Sequence, residues 1–247
     1  MSEQVLPIIG LKVGGVPEHV LVCGDPARAE KTAVFLDEAR LVAQNREYHA
    51  YQGTFQGLPV LVCSHGIGAP GAAMAFEELI AAGAKHIIRI GTCGAMQANI
   101  ADGDLIIATA AVASIGFARE FAPPHYPAVA TPELVLALEN TAVAQQWPYH
   151  RGLVLTRDLF FAGVDTPSTP HYKTLSAANV LAVEMECAAL FMIGSLRQVN
   201  TAAILAVDGN VLEALEDLES YNPHRDLIAQ AVETEIKIAL NALLSLA

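Results

Sequence analysis

A chain of 247 residues, 53% hydrophobic and only 16% charged, has the apolar mass for an extensive core, yet none of its apolar runs reaches the roughly 18 uninterrupted residues of a membrane-spanning helix. Its formal net charge of −12 speaks against nucleic-acid binding, which leans on attraction to phosphates. With only 14 lysines and arginines in all, the positions of the arginines become informative.

The opening MSEQVLPIIGLKVGG lacks a basic segment followed by a long apolar stretch and a small-residue cleavage site, so no secretory signal is expected. HVLVC at 19–23 is short, aliphatic and reads as a buried strand. Gly24-Asp25-Pro26-Ala27-Arg28 follows it as a loop whose glycine lets backbone approach a ligand and whose Arg28 reaches over the carboxyl edge of the sheet, a pocket suited to phosphate. Residues 40–58 mix polar and aromatic side chains with glycine at the turns, the texture of an antiparallel hairpin. PVLVCS at 59–64 is the next strand. Gly66-Ile67-Gly68-Ala69-Pro70-Gly71 formally matches GxGxxG, but the acidic residue expected about 20 positions later to hold a ribose is missing. A tight turn into a helix over 71–83 accounts for these glycines without a dinucleotide.

HIIRIG at 86–91 places Arg89 inside a strand, and a buried guanidinium needs an anion, either a structural carboxylate or a bound one. DLIIATAAVA at 104–113, a helix over 132–146 and GLVLT at 152–156 continue the alternation. Proline-rich loops at 122–132 and 163–170 are candidate lids or simply stiff connections. A strand at 179–183 leads to a helix over 184–197, whose Glu184 and Glu186 read as first-turn caps unless Glu186 instead accepts from a ligand diol. AAILAV at 202–207 runs into Asp208-Gly209, which is either a turn or, in apolar surroundings that raise the carboxyl pKa, a proton donor near neutrality. A last helix is expected over 223–247. This order implies one α/β domain spanning 1–247, a three-layer sandwich with a central mixed, mostly parallel sheet flanked by helices and ligands at the carboxyl ends of strands. Cys23, Cys63, Cys93 and Cys187 form no CxxC pair and read as reduced core thiols, which points to the cytoplasm. The eight histidines form no short-spaced cluster, so no metal is expected.

GDPAR at 24–28, NREY at 45–48, SHGIG at 64–68, RIGTCGA at 89–95, VEMECAAL at 183–190 and AVDG at 206–209 resemble, in order, the motifs of the nucleoside phosphorylase superfamily. The branch they resemble is the hexameric one of purine nucleoside and uridine phosphorylases, and the likeness spans nearly the whole chain. It implies phosphorolysis of a nucleoside, with inorganic phosphate as co-substrate and no cofactor. Phosphate would be held by Gly24, Arg28, Arg89 and Thr92, with Arg46 reaching in from a neighbouring subunit of a hexamer built as a trimer of dimers. Met185 and Glu186 would hold the ribose. Cys93, Gly94, Phe160, Glu184 and Asp208 would face the base, Asp208 protonating a purine with Arg225 as its candidate helper.

Relatives specific for uridine carry a glutamine and an arginine after the aromatic pair, whereas AGVDTPSTPHYK here has neither. They also generally lack the aspartate matched by Asp208. Both differences favour purines, with uridine phosphorolysis as the rival. Ile8 stands where relatives usually place a histidine on the neighbouring sugar's 5′-hydroxyl, which raises 5′-modified nucleosides as a further alternative. A related hydrolase would leave Arg28, Arg46 and Arg89 without a shared anion, and a silent nucleoside or phosphate sensor would have no need of Glu186 and Asp208.

Overall fold

The computed structural model describes residues 4–161, 163–213 and 225–246. From β1 (His19–Cys23) the chain passes through α1 (Pro26–Ala33) into an antiparallel meander of β2 (Asp37–Asn45), β3 (Tyr48–Phe55) and β4 (Leu58–Ser64), and β4 returns parallel to β1. α2 (Ala69–Ala82) then crosses to β5 (His86–Ala95), the parallel neighbour of β1 on its other side. Next come β6 (Leu105–Ser114), α3 (Gly116–Phe121), β7 (Ala128–Val129), α4 (Pro132–Gln145), β8 (Tyr149–Arg157) and α5 (Tyr172–Ala177). The described chain closes with β9 (Val180–Glu184), α6 (Cys187–Arg197), β10 (Asn200–Asn210) and α7 (Asp226–Leu244).

β10 lies between β5, to which it is parallel, and β6, to which it is antiparallel. β6, β8 and β9 are mutually parallel in that order, and β9 returns to the end of β5 in the antiparallel sense. The sheet therefore closes on itself through β5, β10, β6, β8 and β9 while extending on the other side through β1, β4, β3 and β2. The central parallel strands are buried on both faces, from Val20 to Cys23 in β1 and from Ala202 to Val207 in β10, which is why they read as unbroken apolar runs. Helices α2 and α6 pack together, as do α4 and α7. Gly194 lets α6 approach β10, since a Cβ there would stand 2.4 Å from the Thr201 side chain.

Three short helices, α1, α3 and α5, were not expected from the sequence. α1 forms because Asp25 caps it, its carboxylate accepting from Ala27 N at 2.9 Å, and Pro26 occupies the first turn. The expected helix over 184–197 begins only at Cys187: Glu184 still belongs to β9, and Glu186 is the N-cap residue. α7 runs from Asp226 to Leu244, and residues 223, 224 and 247 of the expected helix lie outside the described ones. The candidate lid at 122–132 holds β7, paired to β6, while 163–170 includes a turn in which Thr169 N donates to Thr166 O.

Candidate active site

The carboxyl ends of β1, β5, β8, β9 and β10 surround a cavity of about 670 Å³. Gly24, Arg28, Arg89 and Thr92 are among its lining residues, and a Cβ on Gly24 would sit 3.1 Å from the Gly66 carbonyl, tighter than ordinary contact. Arg28 falls in the first turn of α1, and its nearest carboxylate is Glu235 of α7, with Nη1 3.8 Å from Oε1. Arg89 is almost wholly buried, and its guanidinium folds back over Gly91, where a Cβ would stand 2.7 Å from Nη1. Its Nη2 donates to Glu186 Oε2 at 2.5 Å, and Nε lies 3.4 Å from Glu184 Oε2. Burial opposes its charge, but Glu186 and Glu184 outweigh that and raise its pKa further. The anion required by Arg89 is thus supplied within the chain, by two carboxylates that are themselves at the cavity wall.

Met185 and Glu186 also line the cavity. Glu186 Oε1 accepts from Gly68 N at 2.5 Å, so the glycine turn at 66–71 supplies a backbone donor to a carboxylate rather than a dinucleotide cradle. Burial raises the Glu186 pKa, Arg89 pulls it down and Glu184 adds to the rise. Glu184 also lines the wall, but its oxygens are engaged within the fold. Oε2 accepts from Glu186 N at 2.7 Å and Cys187 N at 2.8 Å, and Oε1 from Thr156 Oγ1 at 2.5 Å. This carboxylate therefore anchors the start of α6 and Arg89 from the same wall at which a base contact is expected of it.

Cys93, Gly94, Phe160 and Asp208 line the cavity too, together with Val183 and Val211. A Cβ on Gly94 would come 2.5 Å from Val211 Cγ1, so glycine keeps the wall open there. Pairing between β10 and β5 slips at this point: Val207 faces Cys93 and Gly209 faces Gly94, leaving Asp208 as the extra residue of a bulge that turns its side chain to the wall. Burial, with Asp208 adding to it, pushes the Cys93 thiol well above its usual range, as suits an inert thiol.

Arg46 and Arg225 do not line the cavity. Arg46 sits at the β2–β3 turn with φ 51°, beside Asn45, whose Nδ2 donates to the Ile8 carbonyl at 2.8 Å. Arg225 precedes α7 and its side chain turns away from the helix, donating to Asp102 Oδ2 at 2.6 Å and to the main-chain carbonyl of Asp208 at 2.9 Å. Sequence reasoning passed over Arg157, Tyr172 and Glu235. Arg157 ends β8 only 6% exposed and lines the cavity; an arginine closing an aliphatic strand is the same signal that singled out Arg89. Among the described residues no group of three metal-ligating side chains occurs, and no helix is long and apolar enough to cross a membrane.

The family model described as the phosphorylase superfamily matches residues 18–245. A uridine phosphorylase from Treponema pallidum is 39% identical over 241 residues, covering 95% of this chain and 91% of the relative. A guanosine phosphorylase from Halorubrum lacusprofundi is 34% identical over the full length of both chains. The crystal structure of purine nucleoside phosphorylase from Toxoplasma gondii in complex with immucillin-H superposes with a TM-score of 0.92 at 32% identity, covering 100% of this chain and 98% of that one.

Proposed function

The chain belongs to the phosphorylase superfamily, a family whose relatives are nucleoside phosphorylases, and from that premise we propose that it is a purine nucleoside phosphorylase. It would convert purine ribo- and 2′-deoxyribonucleosides and inorganic phosphate reversibly to free base and pentose 1-phosphate. The observation that carries this reading is the bulge that delivers Asp208 to the wall of the cavity that Arg28 and Arg89 also line.

Cleavage of the glycosidic bond builds positive charge on the sugar and negative charge on the base, so a catalyst must serve both ends. Phosphate held by Arg28, Thr92 and the Gly24 backbone, with Arg89 donating to it beside its bonds to Glu184 and Glu186, lies below the anomeric carbon, stabilises the cationic sugar and forms the new C1′–O bond. Glu186 accepts from the ribose hydroxyls, a geometry fixed by its bonds to Gly68 N and Arg89. As the C1′–N9 bond breaks, its electron pair passes into the purine and Asp208 gives a proton to N7. Arg225, bonded to the main chain of Asp208, holds the bulge in place. Phosphate needs no further cofactor beside it.

Arg46 completes the phosphate site of a neighbouring subunit in a hexamer arranged as a trimer of dimers. Support comes from Asn45, which ties Ile8 to the same turn, so that two residues expected to act across an interface are presented together, and from the rim residue Ile67, 82% exposed. With Ile8 in that position the 5′ pocket is apolar, and 5′-methylthioinosine is expected to match inosine in kcat/KM within about tenfold; a strong preference for inosine discards this. The name of the Treponema relative favours uridine as the second reading. A nucleoside panel incubated with and without phosphate separates the possibilities: hypoxanthine or guanine released only with phosphate supports the proposal, uracil supports the rival, and release without phosphate means hydrolysis.

A further inference from the structure

Arg157 has no part in the reading above, yet it is a buried guanidinium in the wall of the same cavity. Strand alternation sends its neighbour Thr156 inward to Glu184 and leaves Arg157 on the other face of β8. Its Nη1 donates to the Tyr172 hydroxyl, and its guanidinium carbon stands 5.3 Å from the centre of the Tyr172 ring. Among the described residues Arg157 forms no ion pair, and the adjacent Asp158 is committed to Gly116 N at 2.7 Å. A guanidinium has five N–H donors, and none of the Arg157 nitrogens is both buried and unpaired, so the donors that Tyr172 does not take are accessible from the cavity. Tyr172, Val183 and Val211 all pack against the small cluster of Met96, Leu155 and Val180, and the two valines line the cavity beside Gly94, where β5 pairs with β10 at the Asp208 bulge. Arg157, held on Tyr172, therefore belongs to the same stretch of wall as Asp208.

We propose that Arg157, steadied by Tyr172, is the specificity residue that recognises the ring carbonyl of a 6-oxopurine and turns away 6-aminopurines. This deepens the purine reading and rests on it. The chemistry is one of donors meeting acceptors: Arg157 offers only N–H groups, which suit O6 of hypoxanthine or guanine and oppose the amino group of adenine. On the purine, O6 and N7 share an edge, so one edge of the base would meet Arg157 and Asp208 together. A hydrogen bond to a charged group contributes about 1.5–3 kcal/mol, equivalent to roughly 10- to 100-fold in affinity.

The test is calorimetric binding of hypoxanthine and adenine, with phosphate present, to the wild-type protein and to Arg157→Met, Arg157→Lys and Tyr172→Phe, alongside kcat/KM for inosine and adenosine. The wild-type protein is expected to favour hypoxanthine. Arg157→Met should weaken hypoxanthine binding 10- to 100-fold and leave adenine within threefold, Arg157→Lys should rescue only partly for want of the planar fork, and Tyr172→Phe should fall between. Equal losses for both bases, or none, would overturn the assignment, as would a wild-type protein that binds neither base or prefers adenine. If Arg157→Met does not fold, Tyr172→Phe decides by the same ratio. Turnover distinguishes the two claims: selective base binding without phosphorolysis sinks the proposed function and spares Arg157.

Discussion

Asp208 is the residue on which the proposed chemistry turns, because it is the acidic group that the β10 bulge sets in the cavity wall. If it is the general acid, Asp208→Ala should lower kcat for inosine by about 10²–10⁴ while leaving the KM for phosphate within about threefold. Unchanged turnover, or an equal loss in phosphate binding, refutes that role. Asp208 was legible in the sequence as a carboxylate after an aliphatic strand, although the bulge that aims it was not, since a register slip depends on the partner strand. Glu184 was legible only in part. Its position beside Glu186 suggested either a cap or a ligand contact, and it does both cap and line the cavity, accepting from Glu186 N and Cys187 N close by in sequence; its bond from Thr156 comes from another strand, which no local pattern reveals.

At the scale of elements, the strands were the easiest to read because burial on both faces leaves a continuous apolar signature. α1 was missed because its eight residues, PARAEKTA, carry too little apolar periodicity to register, and its cap, Asp25, also fits a loop. α7 hides a different feature within an otherwise legible amphipathic pattern: Glu235 is completely buried, and its carboxylate oxygens have no hydrogen-bond partner among the described residues. Burial raises its pKa to about 8, with Arg28 and then Arg89 pulling the other way. The raised value means that, from about 4.5 to 8, the folded state keeps a proton the unfolded state has released, so this contribution to stability is full below that window and is lost as pH rises through it. Thermal unfolding of the wild-type protein should therefore lose stability from pH 5 to 8 by up to about 1.4 kcal/mol per pH unit relative to Glu235→Gln. Parallel pH profiles for the two proteins would show that Glu235 ionises freely.

The whole molecule raises the question of where one active site ends. The chain gathers Arg28 and Arg89 into its own cavity, whereas Arg46 stands outside it at the β2–β3 turn, next to Glu47, which does line the wall and packs against Gly66. The turn is thus at the rim and its arginine is available to a second copy of the chain. In a two-fold pair each site would use Arg28 of one protomer and Arg46 of the other. Arg28→Ala and Arg46→Ala should each be nearly inactive alone at low phosphate. Coexpressed, they should recover about a quarter of wild-type activity, because random pairing makes about half of the dimers mixed and each mixed dimer contains one intact site and one doubly damaged site. Independent sites give a different result: the mixture would then show only the average of the two variants, and Arg46 would have to be removed from the phosphate site altogether.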